Sequence, residues 1–269
     1  MDMTIPEFKF RRGTSPLLVS MPHVGTHIPP ELAADMTDEA LQLPDTDWHL
    51  EELYNFLDEI GASVLVATHS RYVIDLNRPV DNANLYPGQD TTGLCPIDTF
   101  HKQPVYQPGR LPTDAEIRRR GQMYWQPYHT MLEEELTRIQ KEHGIAMLWD
   151  AHSIRSVVPR LFHGRLPDFN FGTAGGASCG AGLGERMLAV AHQAKGYSAV
   201  LNGRFTGGHI TRQYGKPDRN IHAVQLELAQ ITYMEETWPY ALDDSCAFAL
   251  RPILRQLLEA NLDWAANRG

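Results

Sequence analysis

Met147-Leu148-Trp149-Asp150-Ala151-His152-Ser153 is the stretch whose reading decides the fold. Ile145 to Trp149 is an apolar run of the length of a buried strand, and an acid, an imidazole and a hydroxyl arrive together at its end. In open α/β sheets ligand sites gather where strands end, so polar residues there are placed for chemistry. A second reading has Asp150 and Ser153 capping a turn, with His152 satisfying them. The rest of the chain decides between the two.

The sequence has 269 residues, a length that suits one large domain, taken here as residues 1–269. Its 42% hydrophobic and 21% charged content is that of a globular protein. No apolar run approaches the roughly 18 residues of a membrane span. Met1 to Arg12 carries Pro6, Glu7 and further charges in place of an apolar signal core, so a cytoplasmic protein is expected. Cys95, Cys179 and Cys246 are scattered without a C-x-x-C pair, which argues against a disulfide framework and a thiolate metal site. A formal net charge of −9 disfavours nucleic acid and anionic membrane as partners. A small anionic substrate is compatible with that charge where arginines gather locally.

Upstream, Pro16 to Met21 reads as a short buried strand that Pro22 and Gly25 terminate, leaving His23 and His27 in the following loop. His23, directly after the strand, is the functional candidate, and His27 is read as packing. Trp48 to Leu57 carries apolar residues at 50, 53, 54 and 57, which is helical spacing, with Asp45 or Thr46 as N-cap. Asp47 then has two readings, a first-turn carboxylate favoured by the helix dipole or an oxygen ligand of a metal. After a strand over Ala62 to Ala67, Arg71 and Arg78 flank a short apolar segment containing Asp75 and Asn77. They suit either ion pairing with Asp75 or bidentate capture of a carboxylate. Residues 81–112 turn to Pro, Gly, Asn and Thr, with turn signals at Tyr86-Pro87-Gly88 and Tyr106-Gln107-Pro108-Gly109, and read as a lid or surface excursion. Thr113-Asp114-Ala115-Glu116 is a capping box opening a helix toward Glu142 that ends near Gly144 and bends at Pro127.

Downstream, the glycines between Asp168 and Cys179 match no phosphate-binding fingerprint and read as a tight loop. A helix over Gly184 to Ala194 and a strand over Tyr197 to Leu201 precede a polar, arginine-bearing stretch from Asn202 to Gly215. Ile221 to Leu228 alternates as a strand that sets Gln225 and Glu227 on one face and Leu226 and Leu228 on the other. Ala247 to Trp264 closes the chain as an amphipathic helix. Alternation of strands and helices is the pattern of an α/β sheet with helices on its faces.

Strand-end histidines, an aspartate and a late strand glutamate are the parts of a one-zinc hydrolase, in which three N/O ligands leave a position open for water. No H-E-x-x-H is present. The motifs Pro22-His23-x-Gly25, Thr46-Asp47-Trp48, Ser70-Arg71-Tyr72-Val73-Ile74-Asp75-Leu76-Asn77-Arg78-Pro79 and Asp150-x-His152-Ser153 occur in that order. Gly207-Gly208-x-Ile210-Thr211-Arg212 and Gln225-Leu226-Glu227 follow. Together they resemble the N-formylglutamate amidohydrolase family over nearly the whole chain. The resemblance implies a three-layer α/β sandwich with a mixed, largely parallel sheet, similar to the zinc carboxypeptidases. It implies one zinc ion on His23, Asp47 and His152, with Glu227 as the base that activates water. The expected reaction is hydrolysis of N-formyl-L-glutamate to formate and L-glutamate, a step of histidine degradation.

Arg71, Arg78 and Arg212 are the candidates for binding the substrate carboxylates, with Asn77 as an orienting hydrogen bonder and Asp150 fixing the ring of His152. Two other readings stand beside this one: another zinc-dependent N-acyl amino acid deacylase or carboxypeptidase, and a non-catalytic binder of acidic metabolites.

Overall fold

The computed structural model describes residues 5–84, 88 and 90–268. Its centre is the pairing of two nine-residue strands, β4 (Ala146–Ile154) and β7 (Ile221–Ala229), both buried along almost their whole length. Around them lie β1 (Phe8–Arg11), β2 (Leu17–Met21), β3 (Ser63–Ala67), β5 (Phe169–Gly172) and β6 (Ala199–Leu201), in the spatial order β1-β3-β2-β4-β7-β5-β6. The β2–β3, β2–β4, β4–β7 and β5–β6 pairs are parallel, whereas β1–β3 and β5–β7 are antiparallel. This is the mixed, largely parallel α/β sheet that was expected. Among the described residues no helix is long and apolar enough to cross a membrane.

The helices are α1 (Pro30–Ala33), α2 (Leu50–Leu53), α3 (Asp114–Arg120), α4 (Gln126–His143), α5 (Leu183–Gln193), α6 (His209–Tyr214) and α7 (Asp244–Ala266). Strand alternation divides the core between the two faces of the sheet. Met147, Trp149 and Ala151 of β4 and Val224, Leu226 and Leu228 of β7 pack with Leu183 and Met187 of α5 and Leu250, Leu254 and Leu257 of α7. Ala146, Leu148 and Ala223, on the opposite face, pack with Tyr128, Leu132, Leu136 and Ile139 of α4. Each fully buried side chain of this kind contributes about 1.5–3 kcal/mol. Trp149 brings a polar atom into its layer, and its Nε1 donates to Tyr54 Oη at 3.0 Å.

Some elements differ from the sequence expectation. The apolar residues at 50, 53, 54 and 57 are buried as expected, yet only Leu50–Leu53 is helical. His49 enters it at φ 60°, a left-handed conformation, so Asp47 lies ahead of the helix and not in its first turn. Asp45 caps nothing there, because its Oδ2 accepts from Phe100 N at 2.8 Å. Thr113 does cap, accepting from Glu116 N at 3.2 Å. The long helix is interrupted by a π turn over Gly121–Trp125, directly before Pro127, whose ring nitrogen has no proton to donate to the preceding turn. Gly144 ends α4 at φ 75°. β1 and β5, unexpected from the sequence, extend the sheet at one edge and brace β7.

Of the 81–112 segment, Leu94, Cys95, Phe100, Val105 and Tyr106 are buried. Arg160 ties it to the body through Asp90 at 2.9 Å and Asp98 at 2.7 Å. The turn expected at Tyr86-Pro87 lies outside the described residues.

Candidate active site

Parallel pairing of β4 with β7 sets Asp150 opposite Gln225 and His152 opposite Glu227. These four continue the face that Leu148 and Ala223 present to α4, so the apolar layer gives way to a polar one at the carboxyl ends of both strands. β4 runs through His152 and Ser153 to Ile154, which makes them strand residues and not the turn after a strand. Rigid backbone on both sides therefore fixes His152 and Glu227. Ser153 points to the opposite face, where Tyr233 Oη donates to its Oγ at 2.7 Å.

His23 follows β2 by two residues, and the backbone bond from Asp47 N to His23 O at 3.0 Å joins the two loops. His23, Asp47 and His152 are all buried, and one ligand atom from each lies within 4.8 Å of the others. Both imidazoles turn Nδ1 to the same oxygen, Asp47 Oδ2, at 3.8 Å from His23 and 3.0 Å from His152. This group can hold a metal ion. His27 stays outside it, against the ring of His69 at 4.9 Å.

The opposite ring nitrogens meet a second set of groups. His23 Nε2 donates to Asp75 Oδ1 at 2.7 Å, which leaves the Nδ1 lone pair facing Asp47. His152 Nε2 lies 3.0 Å from Asn77 Nδ2 and 3.0 Å from Asp150 Oδ1. Asn77 Oδ1 accepts from Ile210 N at 2.8 Å, so the amide turns its NH2 toward His152 and can donate to Nε2 only while that nitrogen carries no proton. Asp150 Oδ2 accepts from Thr211 Oγ1 at 3.1 Å, while its buried Oδ1 has no hydrogen bond. That orphaned oxygen is the test of fit for a metal. A cation on His152 Nδ1 obliges the ring proton to sit on Nε2, and Asp150 Oδ1 is then its acceptor, the usual outer partner of a metal-ligating histidine.

The charges follow from burial and neighbours. Burial, then the Arg71 charge, holds His23 below the ordinary imidazole range despite Asp75 and Asp47. For His152 burial works in the same direction, but Asp150 and then Asp47 outweigh it and hold the ring well above that range. Burial opposes the Asp75 carboxylate, yet His23, Arg71 and Arg78 hold it well below the usual range. Glu227 is pushed up to about 8, chiefly by burial, with His152 opposing and Asp47 adding to the shift. Gln225 Nε2 donates to Glu227 Oε2 at 3.3 Å and orients the carboxyl group.

A cavity opens over this centre, lined by His23, His152 and Glu227, by Arg71, Asn77 and Arg78, and by Phe100, Leu161, Arg204 and Phe205. Three arginines converge there in a chain of net charge −9. Arg71 is largely committed: Nη2 donates to Asp75 Oδ2 at 2.6 Å, and the guanidinium lies over the Phe100 ring at 4.8 Å. Arg78 donates to Thr92 O at 2.9 Å, Asn77 O at 3.1 Å and Thr92 Oγ1 at 3.2 Å, all neutral acceptors. Among the described residues no carboxylate forms an ion pair with it. Arg212 is not one of the lining residues; from α6 it donates to Gly207 O at 2.8 Å and Thr206 Oγ1 at 2.9 Å, holding the glycine turn. Gly208 allows that turn to reach the centre, since a Cβ there would sit 2.3 Å from Asn77 Nδ2.

Residues 15–234 match the family model described as N-formylglutamate amidohydrolase. The chain belongs to the N-formylglutamate amidohydrolase family. The matched span contains every residue of the centre, from His23 to Glu227. Over 259 residues the chain is 54% identical to an N-formylglutamate deformylase of Pseudomonas aeruginosa, covering 96% of this chain and 97% of that one. An N-formylglutamate deformylase of Pseudomonas putida is 52% identical over the same coverage. Among solved structures, an N-formylglutamate amidohydrolase from Ralstonia eutropha JMP134 superposes with a TM-score of 0.81 at 26% identity, covering 98% of each chain. A protein from Agrobacterium tumefaciens shares the fold, with a TM-score of 0.73 at 17% identity over 96% of this chain and 95% of that one.

For this family member, sequence reasoning brought together His23, Asp47, His152, Asp150 and Glu227. Arg204, which lies outside the sequence motifs, lines the cavity, and Asp75 enters from the sequence only as a possible partner of the arginines. The spacing of Arg71 and Asp75, four residues apart and here in direct contact, is the signal that marks the second.

Proposed function

We propose that the chain hydrolyses the formamide bond of N-formyl-L-glutamate, giving formate and L-glutamate, at a single zinc centre on His23, Asp47 and His152. The observation that carries this reading is the convergence of that buried triad with Glu227 beneath an arginine-lined cavity. Relatives of more than half identity that are named N-formylglutamate deformylases support the choice of substrate. A donor set of two imidazoles and one carboxylate, with ring partners in Asp75 and Asp150, suits a catalytic zinc ion. When bound, the ion supplies Lewis acidity toward the formyl carbonyl and the attacking water.

The remaining steps belong to the protein. Glu227 takes the proton of the attacking water and returns it to the departing amine, as a buried carboxylate beside the reacting atoms can. Gln225 keeps that carboxyl group turned toward the centre. Arg78 carries a positive charge into the cavity and donates to neutral acceptors among the described residues, and a substrate carboxylate completes its bonding. Asn77 packs its amide against the His152 ring and holds the start of α6 through its Oδ1. We read residues 81–112 as the cover of the cavity, to which they contribute Thr91, Thr92 and Phe100.

The test is formate release from N-formyl-L-glutamate by zinc-loaded and chelator-treated protein. Zinc-dependent release is expected, and silence of the zinc-loaded protein overturns the reading. Comparison with N-acetyl and N-succinyl glutamate separates a deformylase from a broader deacylase.

A further inference from the structure

The cavity wall away from the metal-binding residues has a composition of its own. Phe100, Ile154 and Leu161 belong, with Phe205, to a small apolar cluster separate from the main core layers. One cation is set among them. Arg204 lies half-buried on the cavity, its Nε donates to Leu161 O, and its guanidinium lies over the Phe205 ring at 5.3 Å. It therefore comes from the loop after β6, on the far side of β7 from the Arg71 and Arg78 segment. A substrate carrying a carboxylate beside its amide and a second one at the end of two methylenes matches such a division. The methylenes meet Phe100, Leu161 and Phe205, and the terminal charge meets a planar guanidinium.

We propose that Arg204 is the specificity-determining residue that selects an acidic side chain, with the Phe100–Leu161–Phe205 wall taking the methylenes. The inference rests on the proposed deformylase reading and deepens it. Arg204 takes no part in the bond-breaking step, so its removal changes which side chain is accepted and spares the chemistry.

The experiment compares the parent with Arg204→Gln and Arg204→Lys on N-formyl-L-glutamate and N-formyl-L-glutamine, substrates of nearly the same shape that end in a carboxylate and an uncharged carboxamide. In parallel, calorimetry measures L-glutamate and L-glutamine binding, and thermal unfolding verifies the fold. For Arg204→Gln, kcat/KM on the glutamate substrate is expected to fall about 100-fold while that on the glutamine substrate stays within about threefold. Arg204→Lys retains part of the preference, because the ammonium keeps the charge and loses the fork. Equal losses on both substrates, or an unchanged preference, overturn the proposal. Should the parent turn over neither substrate yet bind L-glutamate in preference to L-glutamine through Arg204, the deformylase reading fails and this one stands. A parent with no such binding preference refutes it directly.

Discussion

Asp75 is the group whose removal tests the architecture of the centre most directly. It is wholly buried, and it holds His23 Nε2 at 2.7 Å, Arg71 Nη2 at 2.6 Å and Asn77 N at 2.9 Å. Asp75→Asn keeps the shape and removes the charge. Arg71, itself only 6% exposed, would then lose its ion pair and retain Asp45 O at 3.4 Å and the face of Phe100, with Asp47 and Asp45 as its remaining counter-charges. Breaking a buried ion pair from one side costs about 3–5 kcal/mol, a large share of the roughly 5–15 kcal/mol of a whole domain. Arg71→Met combined with Asp75→Leu removes both charges and is expected to recover most of that loss. Zinc affinity behaves differently: the His23 ring keeps only an uncharged amide oxygen in the single variant and loses its acceptor in the double one, so affinity should fall in both, by about 10–100-fold in the double variant. Urea unfolding measures the first quantity, and competition with a chromophoric chelator measures the second. A single variant within about 1 kcal/mol of the parent would place the pair among ordinary surface bridges and refute the argument.

Glu227→Gln should bind zinc and L-glutamate as the parent does while losing formate release by at least about 100-fold; a variant with near-parent turnover would remove Glu227 from proton transfer. Asp150→Asn leaves the Thr211 contact possible but removes the carboxylate beside His152 Nε2, so zinc binding should weaken about 10–100-fold by chelator competition. Gly208→Ala places a methyl 2.3 Å from Asn77 Nδ2 and should cost about 1–3 kcal/mol on unfolding together with activity; a variant as stable and active as the parent contradicts the close approach. His129 is pushed down to about 3 by burial, then by the His209 charge, against the Leu76 O contact. Its unfolded value is about 6.5, so in the window between the two the unfolded chain binds the extra proton. Stability from this group is full above pH about 6.5 and is lost on acidification by up to about 1.4 kcal/mol per pH unit. Unfolding titrations across that window should show a flatter slope for His129→Gln, and equal slopes would show that His129 is not the source.

How far the sequence spoke depended on what each signal reports. Uninterrupted apolar runs located β2, β3 and β4, because a strand covered on both faces has no polar alternative. Alternation found β7 and put Gln225 and Glu227 on the correct face. Periodicity failed at 48–57, since apolar spacing reports burial: the residues are in the core, but His49 and the turns after Tyr54 break the hydrogen-bond ladder. β5 escaped notice because its four residues lead straight into glycines, and its role is fixed by long-range pairing with β7. Of the residues that could hold a metal ion, His23 and His152 were legible as strand-end polar groups, and Asp47 entered through the family resemblance. Arg204 was not, because Arg204 and Arg212 sit in one polar stretch and only the course of the loop decides which side chain enters the cavity.

The nine-position ladder between β4 and β7 acts as a ruler with no tolerance. Losing or gaining one residue in either strand would turn its side chains over. Leu226 and Leu228 would face the cavity, and Gln225 and Glu227 would be driven into the layer under α5 and α7. Length changes are thus barred from the strands that hold the reacting groups, while the loops at 155–168 and 202–206, short of the glycine turn that meets Asn77, carry no such constraint. Those loops bring Leu161, Arg204 and Phe205 to the cavity, so the choice of side chain can drift or be re-engineered there without disturbing the centre.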